Sequence, residues 1–593
     1  MGQASADRTS AIARVVFGLL VLATVAAFFA AQRVKRSDPV VKGIKVPVYL
    51  SPNGDGRKDR AKFEFRLPKG DRVTVSVTDA GGDEVRRLAD KRLGRGRHVF
   101  FWNGRNGSGA IAPDGPYYLR VILRDEGRGT ITRRGVLLVT KPPHPRLLSV
   151  SPARVRPGAR GSVTIRFAGP TSPEPLFSVY RTDLGKPQLI ARFKGRRGEQ
   201  TGTWDERTST GKPAPAGTYA FAVTVENRAL VSGSAPARLP PTPARAAPRT
   251  GVTIGGPMAA PPLEPVRAGD VARVGVAGAA GQVRWAVFGL GSRRALRRGV
   301  GRAPLVRVRV PADARTGVYS VRVTARSGAA AVPVAVRGRR TGRVLVVLPA
   351  ITWQGANPVD DDADGFPDTL DDARSVPLLR PFANGRMPAG FRSTVEPLMR
   401  FLDSRKLRYD LTTDLALARG HGPRIGGRPA VVFAGSERWF TEDLDRRLRE
   451  YVETGGRVAS FGTDAFRRTV GVTATSLAGP GPAQSTNALG EQTAPASSAA
   501  APLVVAPPDT LGLFSGTDGF IGLFTRFEQS QGRVAGSRVE SAAGRDPAHP
   551  AFVAYKLGRG LVVRTGTPQW SASLETDTEV ANVTTSLWSL LSR

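Results

Sequence analysis

The residues best suited to chemistry form an acidic loop in the second half of the chain. In a calcium-binding loop, positions 1, 3, 5, 9 and 12 supply oxygen ligands, position 7 offers a backbone carbonyl and a glycine turns the chain at position 6. The residues that match this pattern are Asp360, Asp362, Asp364, Asp368 and Asp371, with Phe366 at position 7 and Gly365 at the turn. Carboxylates this close repel one another unless a cation neutralises them. The spacing therefore predicts a calcium site, and the alternative is a solvated acidic loop.

A weaker candidate for the same chemistry lies near the N-terminus. Asn53, Asp55 and Asp59 fall within nine residues that also contain two glycines. Their side-chain oxygens could hold a second calcium ion. The alternative is a set of Asx-turns with solvated carboxylates.

The composition restricts nucleophilic and thiolate chemistry. The 593 residues include no cysteine, which excludes disulfides, thiolate metal sites and cysteine nucleophiles. The four histidines lie far apart, without metal-ligand spacing. Ser436 follows an apolar run and a glycine, where a nucleophile would lie, but no histidine occupies an evident partner position. A structural role is therefore favoured for Ser436.

Short apolar runs alternate with helical stretches in the C-terminal part of the chain. The strand-like runs are 343–348, 407–412, 430–434 and 457–461. A helical stretch lies around 394–405, and another begins at Thr441 and ends at Gly455. This alternation predicts a three-layer α/β domain with a parallel sheet over residues 342–593, with ligands beyond the carboxyl ends of the strands. The Ala-, Ser-, Pro- and Gly-rich segment 478–508 is predicted to be a disordered insertion.

An internal repeat precedes that domain. Trp102 and Trp204 are each followed by Gly, Pro, Gly and Tyr at offsets of 7, 11, 13 and 15 residues. A third, degenerate unit contains Trp285 and Tyr319. Apolar and polar residues alternate around these positions, as in half-buried strands. The sequence therefore predicts two to three immunoglobulin-like β-sandwiches, at 44–140, 147–235 and 263–340, with a Pro/Ala-rich linker at 236–262.

The first repeat carries a resemblance to a known family. The segment Ser51-Pro-Asn-Gly-Asp-Gly-Arg-Lys-Asp59, followed by Trp-Asn-Gly and Pro-Asp-Gly-x-Tyr, resembles the Ig-like domain of the flagellar hook-capping protein. The resemblance implies a β-sandwich that spaces or binds.

The C-terminal domain resembles the large (beta) subunit of N,N-dimethylformamidase, whose core is like a class I glutamine amidotransferase. The segments 346–357, 409–415 and 431–441 carry the resemblance. It implies hydrolysis of a C–N bond at an iron held by tyrosines and a glutamate. Family members typically have a tyrosine after Thr-Trp-Gln, where this chain has Ala356. In the segment after Gly435 this chain has Trp439 and Phe440, neither of which can ligate a metal. Tyr409, Ser436 and Glu437 remain as weak catalytic candidates.

An apolar segment near the N-terminus predicts a membrane anchor. Val15 to Ala31 is an uncharged run of 17 residues, at the lower limit for spanning a bilayer. We therefore predict an uncleaved signal-anchor at 1–36 in a single-pass membrane protein, and the alternative is a cleaved signal peptide. By analogy with other β-domain proteins, the bulk of the chain is expected outside the cytoplasm.

The net charge of +38 favours acidic partners. Anionic cell-envelope polymers or other surface proteins are expected as partners, whereas nucleic acid is not, because aromatic residues do not interleave with the basic runs. The sequence predicts a membrane-anchored binding or scaffold protein whose non-catalytic head is rigidified by calcium. The alternative is a diverged hydrolase of amide C–N bonds, which would require iron.

Overall fold

The computed structural model describes residues 6–35, 41–157 and 161–593, with side chains of the first helix described only over 13–29. The chain divides into two compact units. The first unit comprises residues 1–145, 169–175 and 224–234, and the second comprises 146–168, 176–223 and 235–593.

The N-terminal helix, α1, spans Ala6–Lys35. At about 1.5 Å per residue, its described apolar part covers roughly 25 Å, whereas the hydrocarbon core of a bilayer is about 30 Å thick. Within the described residues, no helix is long and apolar enough to cross a membrane. The prediction of a single-pass membrane protein, anchored by 1–36 and with its bulk outside the cytoplasm, is therefore wrong. Residues 1–5 and 36 of that predicted segment lie outside the described part of the chain.

The first β-domain is a sandwich of two sheets. One sheet has the order β1-β3-β6, and the other has the order β2-β9-β7-β4-β5 with β8 paired to β7. Alternate residues of its strands are buried, as in Ala61–Leu67, because successive side chains point to opposite faces of a sheet. Its strands are β1 Lys42–Lys45, β2 Tyr49–Leu50, β3 Ala61–Leu67, β4 Asp71–Thr78, β5 Glu84–Leu93, β6 Gly96–Trp102, β7 Gly115–Leu123, β8 Arg128–Ile131 and β9 Val136–Leu138.

The second β-domain has the same arrangement. Its sheets have the orders β10-β12-β15 and β11-β18-β16-β13-β14. Its strands are β10 Arg146–Ser151, β11 Arg154–Val155, β12 Val163–Ala168, β13 Leu176–Arg181, β14 Gln188–Lys194, β15 Thr201–Trp204, β16 Gly217–Glu226, β17 Ser232–Ala235 and β18 Gly251–Ile254, and a 3₁₀ turn spans Pro243–Arg245.

The repeated tryptophan and tyrosine occupy equivalent places in these two domains. Trp102 packs on Tyr117 with ring centroids 4.9 Å apart, and Trp204 packs on Tyr219 at 5.4 Å. Each indole N–H donates to a backbone carbonyl three residues on, at 2.8 Å in both domains. Each tyrosine hydroxyl donates to the carbonyl of the proline four residues earlier. The fixed offsets in the sequence therefore reflect the same packing of tryptophan on tyrosine, with the same hydrogen bonds, in both domains.

The third β-domain completes the series. Its sheets have the orders β19-β21-β24 and β20-β26-β25-β22-β23. Its strands are β19 Met258–Ala260, β20 Val266–Arg267, β21 Val271–Ala277, β22 Gln282–Gly289, β23 Ala295–Arg302, β24 Leu305–Arg309, β25 Gly317–Ala325 and β26 Gly328–Arg337. A mainly β, multidomain chain with immunoglobulin-like modules is confirmed.

The remaining residues, called the head below, begin at β27. Its first half contains β27 Val344–Leu348, α2 Ala350–Gly355, β28 Ser375–Pro377, a 3₁₀ turn Ala383–Gly385, a π-helical turn Phe391–Val395, α3 Glu396–Ser404, β29 Tyr409–Thr413, α4 Asp414–Ala418, β30 Ala430–Phe433, β31 Trp439–Phe440, α5 Glu442–Glu453 and β32 Arg457–Ser460. Its second half contains β33 Arg468–Thr469, β34 Gly471–Val472, β35 Ser476–Ala478, β36 Glu491–Thr493, β37 Ser497–Asp509, β38 Phe520–Phe527, β39 Ser530–Arg533, β40 Val539–Gly544, β41 Phe552–Leu557, β42 Gly560–Arg564, α6 Trp570–Ser573 and α7 Thr578–Ser592.

A nine-stranded sheet with the order β29-β27-β30-β32-β42-β41-β40-β37-β38 organises the head. The first five strands run parallel, and the other four extend the sheet in antiparallel fashion. Val346 belongs to one hydrophobic core with Leu402 of α3 and Leu587 of α7. The next residue, Val347, belongs to a second core with Leu448 of α5. Helices therefore cover both faces of the parallel strands.

Two segments differ from their predicted character. The stretch 478–508 is largely ordered, because its apolar residues join the sheet: β37 pairs with β38 and β40, and Leu503 is fully buried. The predicted linker 236–262 contains β18, which pairs with β16, and β19, which pairs with β21. Short apolar residues between the prolines and alanines supply these strands.

Candidate functional site

The acidic loop follows α2, beyond the carboxyl end of β27. Asp360, Asp362 and Asp368 each bring a carboxylate oxygen to within 4.8 Å of the others. Gly365 has a φ of +92°, the left-handed conformation that the turn position requires. The carboxylate of Asp364 accepts the backbone N–H of Phe366 at 2.7 Å. Three of the predicted ligands are therefore gathered around one point, and Asp364 shapes the loop beside them.

Asp371, the predicted ligand at the last position, is engaged elsewhere. Its carboxylate pairs with Arg438 at 2.7 Å and with Arg468 at 3.0 Å. Two guanidinium groups already neutralise this carboxylate, and it lies outside the group of three. Asp371 therefore does not join the other predicted carboxylate ligands.

The loop carries more negative charge than its surroundings compensate. Burial, together with the neighbouring carboxylates, raises the pKa of Asp360 to about 8 and the pKa of Asp364 to about 7. Arg380 pairs with Asp361 at 2.5 Å and donates to the carbonyl of Asp368 at 2.9 Å. The buried Arg380 guanidinium thus compensates part of the loop's negative charge. A hard divalent cation with oxygen ligands suits the remaining charge.

The same loop is hydrogen-bonded to the second β-domain. The backbone N–H groups of Arg249 and Gly251 donate to the carbonyls of Asp362 at 3.0 Å and Ala363 at 2.7 Å. The hydroxyl of Thr182 donates to the carbonyl of Gly365 at 2.6 Å. A Cβ added at Gly365 would lie 2.7 Å from backbone atoms of that domain. The loop is therefore both the candidate metal site and a contact between the head and the second β-domain.

Ser436 and Glu437 lie at the carboxyl edge of the parallel sheet, just after β30. The hydroxyl of Ser436 accepts the backbone N–H of Thr463 at 3.2 Å. Glu437 is fully buried, and neither of its carboxylate oxygens has a hydrogen-bond partner within the described ranges of the chain. Burial, with a further contribution from the charge of Asp414, raises the pKa of Glu437 well above its ordinary value. Burial therefore favours the protonated, uncharged form of Glu437.

Asp414 is the second buried carboxyl group at this edge. It follows β29 and accepts the backbone N–H groups of Ile351 at 3.0 Å and Leu415 at 2.7 Å. Burial raises its pKa to about 7. The sequence analysis did not single out Asp414 as a site residue, although its place directly after a strand was a signal.

Tyr409 lies at the opposite edge of the sheet. It is the first residue of β29, and its hydroxyl donates to Asp403 at 2.8 Å. A five-residue strand at about 3.3 Å per residue separates the two edges by roughly 13 Å. The structure therefore brings Ser436 and Glu437 together but does not bring Tyr409 to them.

The carboxyl edge is further occupied by a buried ion-pair network that the sequence did not reveal. Arg564, at the end of β42, pairs with Glu491 at 2.8 Å and with Glu528 at 3.3 Å. All three side chains are at most 4% exposed. Glu528 also accepts the backbone N–H of Asp464 at 2.9 Å. Glu491, from the predicted insertion, therefore helps to fill this edge.

The weaker candidate site near the N-terminus is a set of turns. Asp59 accepts the backbone N–H groups of Gly54 at 2.8 Å and Gly56 at 2.7 Å. Asn53 accepts that of Asp55 at 3.1 Å, and Asp55 accepts that of Arg57 at 2.7 Å. These bonds match the Asx-turn alternative, in which side-chain oxygens replace water on local amides.

Two family models match the chain. Residues 303–486 match the family described as N,N-dimethylformamidase beta subunit-like, C-terminal, and residues 51–127 match the FlgD Ig-like domain. Both resemblances are confirmed. The first match begins inside the third β-domain rather than at residue 342.

Individual relatives cover small parts of the chain. The basal-body rod modification protein FlgD of Salmonella typhimurium is 28% identical over 103 residues, which are 16% of this chain and 44% of that protein, and FlgD of Salmonella typhi matches equally. The chain thus spans less than half the length of these curated relatives.

Matches among the solved structures include FlgD from P. aeruginosa. The two sequences are 26% identical, the match covers 17% of this chain and 74% of that chain, and the TM-score is 0.13. The mouse nectin-like molecule 4 ectodomain is 15% identical to this chain. That match covers 49% of this chain and 97% of the ectodomain chain, with a TM-score of 0.19. From the two family matches, the chain combines an FlgD-like immunoglobulin-like domain with an N,N-dimethylformamidase beta subunit-like domain.

Proposed function

We propose that the chain is a binding or scaffold protein in which the β-domains hold a non-catalytic, amidohydrolase-like α/β head. The observation that carries the proposal is the separation of the catalytic candidates. Tyr409 lies at the amino edge of the parallel sheet, whereas Ser436 and Glu437 lie at its carboxyl edge. An iron site that needs a tyrosine and a glutamate together cannot form from residues on opposite edges.

The neighbours of the candidate nucleophile support the same proposal. Ser436 accepts a backbone N–H and has no base beside it among its hydrogen-bond partners in the described residues. His421 and His549, the histidines of the head, pair with Glu264 at 2.9 Å and with Asp546 at 2.8 Å. An activated serine requires a base within hydrogen-bond reach.

We further propose that the acidic loop binds calcium. Asp360, Asp362 and Asp368 would supply carboxylate oxygens, and calcium accepts such ligands in flexible geometry. The bound ion would supply the positive charge that the loop lacks. Because the loop also bonds to Arg249, Gly251 and Thr182, holding its shape would stabilise the contact between the head and the second β-domain.

The calcium proposal is tested by thermal unfolding of the full chain with and without calcium. A ligand at a hundred times its Kd stabilises the folded state by about 2.7 kcal/mol. We expect calcium to raise the melting temperature of the native chain and to leave that of Asp362→Asn/Asp368→Asn unchanged. Asp372→Asn, an exposed carboxylate of the same segment, is the matched control and should respond like the native chain. No calcium response in the native chain, or an equal one in the double variant, would refute the site.

A diverged amide hydrolase is the second candidate function. The observation in its favour is the buried carboxyl pair Glu437 and Asp414 at the edge where parallel sheets bind ligands. Perturbed carboxyl groups are typical of acid–base catalysis. Turnover of small N-alkyl amides by the full chain, lost in Glu437→Gln, would establish this function. Absence of turnover with iron and calcium both supplied supports the scaffold.

A further inference from the structure

A cavity of about 990 Å³ lies at the amino edge of the parallel sheet, opposite the edge that carries the acidic loop, Ser436 and Glu437. The starts of β27, β30 and β32, the glycine-rich segment 420–427 and the end of α5 form its walls. Its lining arginines are Arg343, Arg424, Arg428, Arg447, Arg457 and Arg593. Glu450 is the acidic residue of the lining. The cavity is therefore strongly cationic.

Three of these arginines form a fixed frame. Arg428 pairs at 2.7 Å with Asp410, whose carboxylate is 1% exposed. Arg447 donates to the carbonyl of Leu417 at 2.9 Å, and Arg457 donates to the carbonyl of Leu590 at 2.6 Å. Guanidinium groups held in this way lose little further freedom when a ligand binds.

The remaining charge is not compensated within the protein. The side chains of Arg343 and Arg424 are exposed and make no hydrogen bond or ion pair in the described part of the chain. The backbone carbonyl of Arg343 accepts the Arg428 guanidinium at 3.4 Å. Asp410 is shared between Arg428 and Arg337, so that one carboxylate serves two cations. Glu450 pairs with Arg446 at 3.2 Å, outside the cavity lining. Arg447 pairs with Asp443 at 2.8 Å, whereas Arg343, Arg424 and Arg457 have no acidic partner among the described residues. The cavity therefore presents guanidinium groups that lack a matching anion.

We propose that this cavity binds a small ligand with two or more oxyanion groups, phosphate or carboxylate. Guanidinium groups match both kinds of oxyanion with paired N–H donors. The volume falls within the range of about 300–1,000 Å³ that is typical of small-molecule sites. Arg343 and Arg424 contact the ligand, and the frame arginines set the position of its second anionic group.

The test measures binding of two probes, pyrophosphate and citrate, to the full chain by isothermal titration calorimetry. The two probes distinguish a phosphate ligand from a carboxylate ligand. We expect saturable binding of at least one of them. The double variant Arg343→Ala/Arg424→Ala removes two charge-assisted contacts, and it should weaken that binding by about tenfold or more. Because both side chains are exposed and unpaired, the variant should fold, which its melting temperature verifies.

The matched control removes the same charge elsewhere in the head. Arg526→Ala/Arg538→Ala changes two exposed arginines outside the cavity and should leave the Kd unchanged. The proposal is overturned if neither probe binds saturably, or if Arg343→Ala/Arg424→Ala binds as tightly as the native chain. An equal loss in both double variants would also overturn it, since the effect would then be one of net charge.

Discussion

At the residue scale, Glu437 and Asp414 are carboxyl groups whose pKa is raised above the ordinary value by burial. Both are fully buried, and the carboxyl oxygens of Glu437 have no hydrogen-bond partner among the residues that the structure describes. Burial disfavours the charged form, so the folded chain keeps a proton on Glu437 at pH values at which a solvated glutamate is ionised. Unfolding releases that proton, and the free energy of unfolding therefore falls as the pH rises.

The substitution Glu437→Gln should remove this pH dependence. From above the ordinary pKa of 4.5 up to the raised pKa of the folded state, the native chain loses about 1.4 kcal/mol of stability per pH unit through this group. The glutamine variant keeps the shape and carries no proton to release. We expect the margin between the melting temperatures of the variant and the native chain to shift in favour of the variant as the pH rises above the ordinary pKa of 4.5.

The control for this prediction is Glu575→Gln, which changes an exposed glutamate of the head. It should follow the native pH dependence. A constant margin for Glu437→Gln across the pH range would show that Glu437 is ionised in the folded state.

The sequence predicts the local interactions of the head but not the contacts between residues far apart in the chain. Thr441 was predicted to cap a helix, and its hydroxyl accepts the N–H of Leu444 at 3.3 Å, because capping is a local interaction. The sequence places Ser436 after a strand, whereas the predicted strand 407–412 places Tyr409 in a strand interior. Only the structure shows Tyr409 as the first residue of β29, on the opposite edge from Ser436. The pairing of Glu491 with Arg564 spans 73 positions and has no local signal.

At the element scale, the ion-pair network around Arg564 fastens the segment predicted to be disordered to the parallel sheet. Glu491 lies on β36, Glu528 follows β38, and Arg564 ends β42. Alanine, serine and proline dominate that segment, and its composition alone predicts disorder. The segment is ordered despite its composition, because Leu503 packs in the core and Glu491 forms a buried ion pair with Arg564.

The substitution Arg564→Met should strongly destabilise the head. It leaves two buried carboxylates without a cation, and breaking a buried ion pair in this way costs about 3–5 kcal/mol. The triple variant Arg564→Met/Glu491→Gln/Glu528→Gln removes the uncompensated charges and should recover much of that loss. Urea denaturation of the full chain, followed through the unfolding transition of the head, measures the change in the free energy of unfolding for both variants.

The exposed Arg559→Met is the control for this prediction and should change the transition little. A small effect of Arg564→Met, or a triple variant less stable than the single one, would contradict the network's role.

At the scale of the whole molecule, the acidic loop links a candidate ion site to the second β-domain. The backbone N–H groups of Arg249 and Gly251 donate to carbonyls of the loop, whereas the N–H group of Thr253 donates to the carbonyl of Ala153 within the β-domain. Calcium binding should therefore change one set of amides and spare the other.

Hydrogen exchange of the full chain checks this coupling. Calcium should slow exchange at Arg249 and Gly251, because these amides open only when the loop separates from the β-domain. Exchange at Thr253 should stay the same, and Asp362→Asn/Asp368→Asn should show no calcium effect at any of the three. Uniform slowing at all three amides would instead indicate global stabilisation.

The metal content of the head tests most directly whether the head is a binding or scaffold domain rather than an amide hydrolase. The full chain is purified, equilibrated with iron and calcium together, freed of unbound metal and measured by mass spectrometry of its metals. We predict about one calcium per chain, lost in Asp362→Asn/Asp368→Asn, and no bound iron, because Tyr409 and Glu437 lie on opposite sheet edges. Stoichiometric iron that survives in Asp362→Asn/Asp368→Asn, accompanied by turnover of a small amide, would contradict this account.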